Sequence, residues 1–236
     1  MTDIKYKRIL LKLSGEGMGS DSTPLASEKM YNQAEQIKKI YDLGVEICIV
    51  IGGGNFWRGA KGVKKGVSRI TGDYIGMLAT MMNALAFADV LKEHEMDVRI
   101  MTSLAVEGIG EVFNQAVAER YLKEKKIIIF AAGTGSPFFT TDTCSVLRAS
   151  EMKCDAFLKA TQVDGIYDSD PKQNPNAIRY DQIDYQTALD KRLEIMDLTA
   201  MSMAQSAQLP IVVFNAHTST FADIICGKGL YSIMKG

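Results

Sequence analysis

Apolar runs alternate with amphipathic stretches along the 236 residues of the chain. Six short runs are rich in Val, Ile and Leu, and several are apolar at consecutive positions, as in strands covered on both faces. The amphipathic stretches between them predict helices. Strands are predicted at 8–14, 45–51, 97–103, 127–132, 155–161 and 210–215, and helices at about 27–43, 74–95, 112–124, 142–152 and 197–207.

The order of these elements indicates the fold class. Strands alternate with helices, which predicts an α/β fold with an open, mostly parallel central sheet and helices on both faces. The chain has no internal repeat and no clear linker. We therefore expect a single domain over 1–236, in which the polar, loop-rich segment 168–184 separates an N-terminal lobe of about 1–165 from a smaller C-terminal lobe of about 166–236.

The predicted helix at 74–95 is apolar around most of its circumference. Such a helix is buried on several sides. One face carries Ile75, Leu78, Met82 and Leu85, and Met77, Met81, Phe87 and Val90 extend it around the helix. Two interpretations remain open: a core helix, or a helix that packs partly against another subunit, for which a methionine-rich surface is suited.

The composition is that of an ordinary globular protein, with 47% apolar and 23% charged residues. The formal net charge of −1 lacks the basic excess of a nucleic-acid-binding protein. No apolar run predicts a membrane span, and the N-terminal segment lacks the pattern of a signal peptide. Four cysteines without C-x-x-C spacing indicate free thiols in a reducing compartment. We expect a cytoplasmic protein that binds neither nucleic acid nor a membrane.

Four of the predicted strands are followed by glycine or hydrogen-bonding residues. The segments are KLSGEG from Lys12, GGGNFWRG from Gly52, GTGSPFFTTD from Gly133 and TQVDGIYDSD from Thr161. Ligands of open α/β sheets bind outside the carboxyl ends of the strands, and glycine-rich turns there expose N–H groups that bind phosphate. A single turn of this kind would only reverse the chain, but several at one edge predict a polyanionic ligand.

Charged side chains in and near these segments complete a candidate phosphoryl-transfer site. Lys12 lies in an otherwise apolar strand, where a lysine is costly to bury without a partner. It either faces water from an edge strand or points at phosphate. With Arg58 it would supply positive charge, and Asp142 would orient a lysine or meet a metal. Phosphoryl transfer relies on such positioning and charge neutralisation.

Other catalytic motifs are absent from the sequence. Gly54 to Gly59 begins a Walker A pattern, but Ala60 stands where the lysine is required. No G-x-G-x-x-G, H-E-x-x-H or G-x-S-x-G pattern occurs. The chain has only two histidines, His94 and His217, so a histidine-based triad has little support.

Seven segments spread over almost the whole chain match a known family. They are KRILLKLSGE, VIGGGNFWRG, GDYIGMLATMMNALA, GTGSPFFTTD, LKATQVDGIYDSDP, IMDLTAMSMA and LPIVVFN. Together they resemble the bacterial uridylate (UMP) kinases of the amino acid kinase superfamily. The resemblance implies the amino acid kinase fold, an α/β/α sandwich. It also implies transfer of the γ-phosphate of ATP to UMP, which gives UDP in pyrimidine nucleotide biosynthesis.

The resemblance also implies roles for individual residues. Lys12 and Asp142 correspond to the catalytic lysine and its organising aspartate, and Arg58 is a further catalytic cation. The N-terminal lobe would hold mainly UMP, and the C-terminal lobe would contribute to the ATP site. The implied ATP-binding residues are Lys12, Leu13, Ser14, Gly15, Gly54, Arg58, Thr161, Tyr167 and Asp170. The implied UMP-binding residues are Gly53, Asp73, Thr134, Gly135, Ser136, Pro137, Phe138, Phe139, Thr140 and Thr141.

Asp73 has a second interpretation, since it opens the apolar part of the predicted helix and could cap it.

Cofactor, assembly and regulation follow from the same resemblance. It implies that Mg²⁺ is bound mainly through the phosphates of ATP, without a metal site made of protein ligands. It implies a homohexamer built as a trimer of dimers, with GTP commonly an activator and UTP commonly an inhibitor. Segment 17–27 departs from the family, being shorter and more polar than the stretch linked to GTP.

Three other functions are compatible with this superfamily. A kinase acting on a carboxylate or carbamate would need a different acceptor loop, whereas TGSPFFTTD resembles the UMP type. A molybdate or tungstate storage protein would need extra histidine and carboxylate ligands, and the chain has two histidines. A regulatory nucleotide-binding subunit would be expected to lose Lys12 or Asp142, and both are present.

Overall fold

The computed structural model describes residues 4–20, 22–57 and 66–236. The strands in this part of the chain are β1 (Arg8–Leu13), β2 (Glu46–Ile51), β3 (Val98–Thr102), β4 (Glu111–Val112), β5 (Ile127–Ala131), β6 (Ala156–Thr161), β7 (Ile166–Tyr167), β8 (Arg179–Tyr180), β9 (Gln182–Ile183), β10 (Ile211–Asn215) and β11 (Tyr231–Met234). The helices are α1 (Ser27–Asp42), α2 (Arg69–Glu93), α3 (Gln115–Lys123), α4 (Thr141–Glu151), α5 (Tyr185–Asp190), α6 (Leu198–Ala207) and α7 (Phe221–Ile225).

A nine-stranded sheet runs through the molecule, and β1 lies at its centre. The strand order is β4-β3-β5-β2-β1-β6-β10-β11-β9. Every neighbouring pair is parallel except β10 and β11. Strands β7 and β8 form a separate antiparallel pair. The predicted open, mostly parallel sheet is therefore confirmed.

Each face of the sheet carries its own apolar core. In β1, Ile9 and Leu11 belong to one core and Leu10 to the other. Helices α1, α2 and α7 pack on the first face, and α3, α4 and α6 on the second. Successive side chains of a strand point to opposite faces, so consecutive apolar positions fill both cores. Helices cover both faces, as the sequence predicts.

All six predicted strands and all five predicted helices are present, with shifted ends. The largest shift is in α2, which is predicted to begin at 74 and begins at Arg69. Ser68 is the reason, because its hydroxyl accepts a hydrogen bond from the N–H of Thr71 and so caps the helix. Short elements escaped prediction, among them β4, whose two residues pair with β3 where the sequence predicts the start of α3.

Helix α2 is apolar on two sides with different surroundings. The side that is buried in the fold includes Met77, Met81, Phe87 and Val90. By length and composition α2 could cross a membrane, but 56% of its most apolar stretch is buried inside the protein, as in a core helix. A second row stays exposed along the helix: Ile70, Tyr74, Leu78, Met82 and Leu85. The core interpretation accounts for the first side only.

Candidate active site

The carboxyl ends of the parallel strands β1, β2, β5 and β6 lie at one edge of the sheet. The sheet extends in both directions from β1, with β2 on one side and β6 on the other. Where strand order reverses in this way, the connections leave a crevice in which open α/β sheets bind their ligands. The glycine-rich segments of the sequence begin at this edge.

Two glycine-rich turns pack against each other beyond β1 and β2. After β1, Gly15–Gly17 form a 3-10 turn capped by the hydroxyl of Ser14. A Cβ on Gly15 would lie 2.6 Å from the carbonyl oxygen of Gly52 and from the backbone nitrogen of Gly54. No side chain fits at that distance, so the close approach of the two turns itself requires glycine at position 15.

Helix α2 holds the second turn. A Cβ on Gly53 would lie 2.8 Å from the carbonyl oxygen of Gly76 in α2. The fully buried Asn83 of α2 donates to the carbonyl of Gly52 at 2.7 Å, and its amide and that of Asn55 donate to each other at 2.8 Å. Close contacts with the protein's own backbone are therefore the first reason for glycine in this run. They also hold the turn in a fixed shape at the crevice.

Lys12 and Lys159 are register partners on the adjacent strands β1 and β6. Both reach the carboxylate of Asp142. The Nζ of Lys159 lies 2.6 Å from Oδ2, and the Nζ of Lys12 lies 3.6 Å from Oδ1. Lys159 also donates to the carbonyl of Ile195. Because β1 is the central strand of the sheet, the interpretation of Lys12 as an edge-strand residue facing water is wrong.

Burial and charge oppose each other in this cluster. Burial alone would raise the pKa of the Asp142 carboxyl, but the charges of Lys159 and Lys12 outweigh it and hold that pKa below its ordinary value. The pKa of Lys159 is lowered, because burial and the charge of Lys12 outweigh the attraction of Asp142. Asp142 is therefore ionised at neutral pH, and the two lysines beside it leave a net positive charge at the crevice.

The start of α4 fixes the position of Asp142. Thr140 caps the helix by accepting from the N–H of Thr143 at 3.1 Å, which puts Asp142 in the first turn. Asp197, the N-cap of α6, accepts hydrogen bonds from the hydroxyls of both Thr140 and Thr143. One carboxylate thus joins the beginnings of two helices beside the lysine pair.

The predicted acceptor segment, 134–141, is fastened to α2 by Asp73. The N–H of Phe138 donates to Asp73 Oδ2 at 2.8 Å, and Phe138 has a left-handed φ of 73°. Arg69 pairs with the same carboxylate at 2.8 Å, and its guanidinium carbon lies 5.5 Å from the centre of the Phe138 ring. Phe138 and Phe139 are 64% and 48% exposed, so both rings remain accessible.

The interpretation of Asp73 as a helix cap is wrong. Helix α2 begins four residues earlier, at Arg69, and Ser68 supplies the capping oxygen. Asp73 lies in the second turn, where its carboxylate is occupied by the acceptor segment and by Arg69.

The remaining predicted ATP-binding residues lie farther along the chain. Thr161 ends β6, two residues beyond Lys159. Tyr167 belongs to β7, and Asp170 lies in the connection from β7 to β8. Arg58 lies outside the described residues.

The chain is similar to known proteins over nearly its whole length. The model of the amino acid kinase family matches residues 7–215. The uridylate kinase of Paramagnetospirillum magneticum is 44% identical over 235 residues, which cover 99% of this chain and 98% of that protein. The chain belongs to the uridylate kinases of the amino acid kinase family.

Two solved structures of UMP kinases share the fold of this family member. That of the Ureaplasma parvum enzyme superposes with a TM-score of 0.93 at 34% identity, covering 98% of this chain and 99% of the other. That of the Bacillus anthracis enzyme gives a TM-score of 0.94 at 37% identity, covering 98% and 96%. The predicted amino acid kinase fold is therefore confirmed.

Lys159 is the charged residue of this uridylate kinase site that sequence reasoning missed. It lies in DAFLKAT, an otherwise apolar strand, and so carries the same signal as Lys12 in RILLKLS. A lysine inside a predicted buried strand is costly without a partner, so this signal marks Lys159 as a candidate site residue in the same way as Lys12.

Proposed function

We propose that the protein transfers the γ-phosphate of ATP to UMP, giving UDP and ADP. The observation that carries this proposal is the pair of lysines, Lys12 and Lys159, sharing Asp142 at the carboxyl edge of the sheet. The cluster occurs in a chain that is 44% identical to a uridylate kinase over nearly its full length. It supplies the charge that phosphoryl transfer requires.

The lysine pair stabilises the transition state electrostatically. Negative charge spreads over the transferred phosphoryl group, and preorganised cations lower the barrier because they need no rearrangement as the reaction proceeds. Asp142 keeps the two like charges of Lys12 and Lys159 together and opposes the loss of the Lys159 proton. Arg58 is proposed as a further cation on the phosphates.

ATP is assigned to the crevice beyond β1 and β6. Support comes from the interlocked turns after β1 and β2 and from the position of Thr161 on the same strand as Lys159. The phosphates are assigned to Lys12, Leu13, Ser14, Gly15, Gly54 and Arg58, and the base and ribose to Thr161, Tyr167 and Asp170.

UMP is assigned to the neighbouring space between α2 and the acceptor segment. A Cβ on Gly52 would lie 3.6 Å from Thr141 Oγ1, so the end of the acceptor segment reaches the glycine turn. That contact supports a common reaction point for both substrates. The residues assigned to UMP are Gly53, Asp73, Thr134, Gly135, Ser136, Pro137, Phe138, Phe139, Thr140 and Thr141.

Mg²⁺ is proposed to enter with ATP, held by its phosphates. Among the described residues there is no group of three or more histidine, cysteine, aspartate or glutamate side chains that could hold a metal ion. Asp142, the carboxylate of the cluster, is already shared by two lysines. When bound, Mg²⁺ supplies charge neutralisation and orientation of the phosphates.

We further propose that the chain is one domain with an N-terminal lobe for UMP, about 1–165, and a C-terminal lobe contributing to the ATP site, about 166–236. A homohexamer in the cytoplasm that UTP inhibits completes the proposal. Activation by GTP follows only from the family resemblance, because segment 17–27 departs from the stretch linked to GTP. The exposed apolar row on α2 supports association, and four cysteines without disulfides suit a reducing compartment.

A coupled assay with ATP and a panel of nucleoside monophosphates tests the function. We expect UMP to be strongly preferred over CMP, since the acceptor segment resembles the UMP type. Comparable turnover of CMP would reject the assigned specificity. Turnover of a carboxylate or carbamate substrate, with UMP inactive, would reject the function.

A further inference from the structure

Arg148 is a buried cation that the proposed chemistry does not use. Its side chain is 7% exposed and lies in the last turn of α4. The guanidinium carbon lies 3.9 Å from the ring centre of Phe113, Nη1 donates to Glu151 at 2.6 Å, and Nη2 donates to the hydroxyl of Ser103 at 2.8 Å. The planar fork of an arginine can make these contacts together, whereas a lysine presents a single ammonium.

Ser103 carries the contact to the start of the acceptor segment. Its hydroxyl accepts from Arg148 and donates to the carbonyl of Gly133 at 2.6 Å. A hydroxyl has one donor and two acceptor positions, so both bonds form at once. A Cβ on Gly135 would lie 3.1 Å from the Cβ and the carbonyl oxygen of Ser103. Ser103 therefore touches the segment at two points.

The backbone is left-handed at these points, which is ordinary for the two glycines and uncommon for Ala132. Ala132, Gly133 and Gly135 have φ values of 63°, 55° and 80°. Left-handed conformations are uncommon outside glycine and persist when the surroundings hold them. Those surroundings are Ser103 on Gly133 and the buried hydroxyl of Thr80, which accepts from the N–H of Ala132 at 2.9 Å.

Helix α4 thus holds both ends of the segment that leads into it. Its first turn follows the Thr140 cap and carries Asp142 to the lysines, and its last turn reaches the beginning of the segment through Arg148 and Ser103. We infer that Arg148 is a positioning residue that, through Ser103, presets residues 132–138 to receive the nucleoside monophosphate. This inference rests on the proposed function. The competing role for Arg148 is packing on Phe113 alone.

Ser103→Ala separates the two roles, because it removes the hydrogen bonds and leaves the stack of Arg148 on Phe113 in place. We expect the KM for UMP to rise about tenfold with little change in the KM for ATP, as misplacement of one substrate does. Arg148→Met should raise it further, and Arg148→Lys should not restore it, since lysine lacks the fork. Hydrogen exchange of the full-length protein without nucleotide should be faster at amides 132–138 in Ser103→Ala and Arg148→Met.

Glu151→Gln is the matched control. It weakens the more exposed contact of Arg148 while sparing Ser103, and should leave the KM for UMP within about twofold of wild type. Wild-type exchange and a wild-type KM for UMP in Ser103→Ala would overturn the inference, whether or not Arg148→Met folds. If wild type itself does not phosphorylate UMP, the proposed function fails, while the exchange rates still decide whether Arg148 and Ser103 set the segment.

Discussion

Lys12 and Lys159 stand opposite each other on β1 and β6, and a single carboxylate, Asp142, is shared between their ammonium groups. In parallel neighbours, side chains in register project from the same face, so two lysines at matched positions are forced together. The negative charge of Asp142 reduces the repulsion between the two ammonium groups in the folded protein. A bound phosphate would neutralise the remaining positive charge. The cluster is therefore already arranged for a phosphate ligand before binding.

Lys159→Met tests the residue that the structure adds to the site. The side chain is 11% exposed and makes the shorter contact to Asp142, so methionine would leave this buried carboxylate with Lys12 alone, and we expect the protein to fold with a lower thermal unfolding temperature. We expect kcat to fall by about a hundredfold or more, as for other electrostatic transition-state donors. Steady-state kinetics with UMP and ATP measure this.

The same loss is expected for Lys12→Ala. The double variant should lose less than the product of the two single losses, because groups that act together are not additive. A kcat close to wild type in Lys159→Met would remove Lys159 from catalysis. Failure of Lys12→Ala to fold would indicate a structural role for Lys12.

Asp142→Asn should make the activity more sensitive to alkaline pH. The carboxylate opposes the lowering of the Lys159 pKa, so its removal leaves only the more weakly acting Asp197 against burial and the charge of Lys12. We expect a lower kcat that falls further as the pH rises from neutral to alkaline, at a pH where wild type is still level. The pH profile of kcat measures this.

The stability of Asp142→Asn should depend less on pH in the acid range than that of wild type. In wild type the pKa of Asp142 is below its ordinary value, so its contribution is present at neutral pH and is lost as the pH falls through the lowered pKa. The Asn variant should lack that part of the acid dependence of the thermal unfolding temperature. Asp89→Asn, at a side chain 77% exposed, is the matched control. Identical acid profiles for Asp142→Asn and wild type would contradict the prediction.

Sequence patterns were sufficient to predict the mostly parallel sheet and its alternation of strands and helices. They also pointed to Lys12, because a lysine in a buried strand is conspicuous, and to Asp142, but Lys159 was not recognised. They were not sufficient for contacts that depend on register and long-range packing. The N–H of Phe138 meets Asp73 across 65 positions of sequence, and Gly15 meets Gly52 only because β1 and β2 end together. No local pattern records either contact, whereas the resemblance to uridylate kinases led to the same residues by another route.

Asp73→Ala tests recognition of the ribose. An ionised carboxylate only accepts hydrogen bonds, so it suits the two donors of a 2′,3′-diol, and a site built for a hydroxyl rejects analogues without it. We expect wild type to discriminate against dUMP. In Asp73→Ala the KM for UMP should rise, the KM for ATP should change little, and the preference for UMP over dUMP should shrink.

The N–H of Phe138 also donates to Asp73, so Asp73→Ala changes the acceptor segment as well as the proposed ribose contact. A second variant separates these two effects. Asp73→Asn keeps an oxygen that can accept from Phe138 and loses the charge and one acceptor. If both variants bind UMP more weakly yet keep the wild-type ratio of kcat/KM for UMP and dUMP, Asp73 acts only by holding the acceptor segment.

Trp57 should report UMP binding by fluorescence. It is the only tryptophan of the chain, and its indole nitrogen lies 3.4 Å from where a Cβ on Gly72 would stand, next to Asp73. The buried Nε1 has no hydrogen-bond partner among the described residues. We expect UMP to change the emission in a saturable way, more than ATP does. The change should vanish in Trp57→Phe and need more UMP in Asp73→Ala; no response to saturating UMP would contradict the assigned site.

The apolar row on α2 leads to a prediction about assembly. Ile70, Tyr74, Leu78, Met82 and Leu85 are 51%, 41%, 50%, 44% and 38% exposed. Their spacing of three or four residues puts them on one face, over a length of roughly 22 Å at 1.5 Å per residue. A contiguous apolar surface of this kind on a soluble protein marks an interaction site. We expect wild type to be hexameric by light scattering at micromolar concentration.

Leu78→Glu should dissociate the hexamer into smaller species. Leu78 lies in the middle of the row, and a glutamate there would bury an unpaired charge in the assembly, whereas in a free protomer half of its surface would remain in water. The protomer should therefore keep its fold, as judged by circular dichroism. Leu78→Met is the control, since it keeps the position apolar and should keep the wild-type mass. A monomeric wild type, or an unchanged mass for Leu78→Glu, would show that α2 does not form the interface.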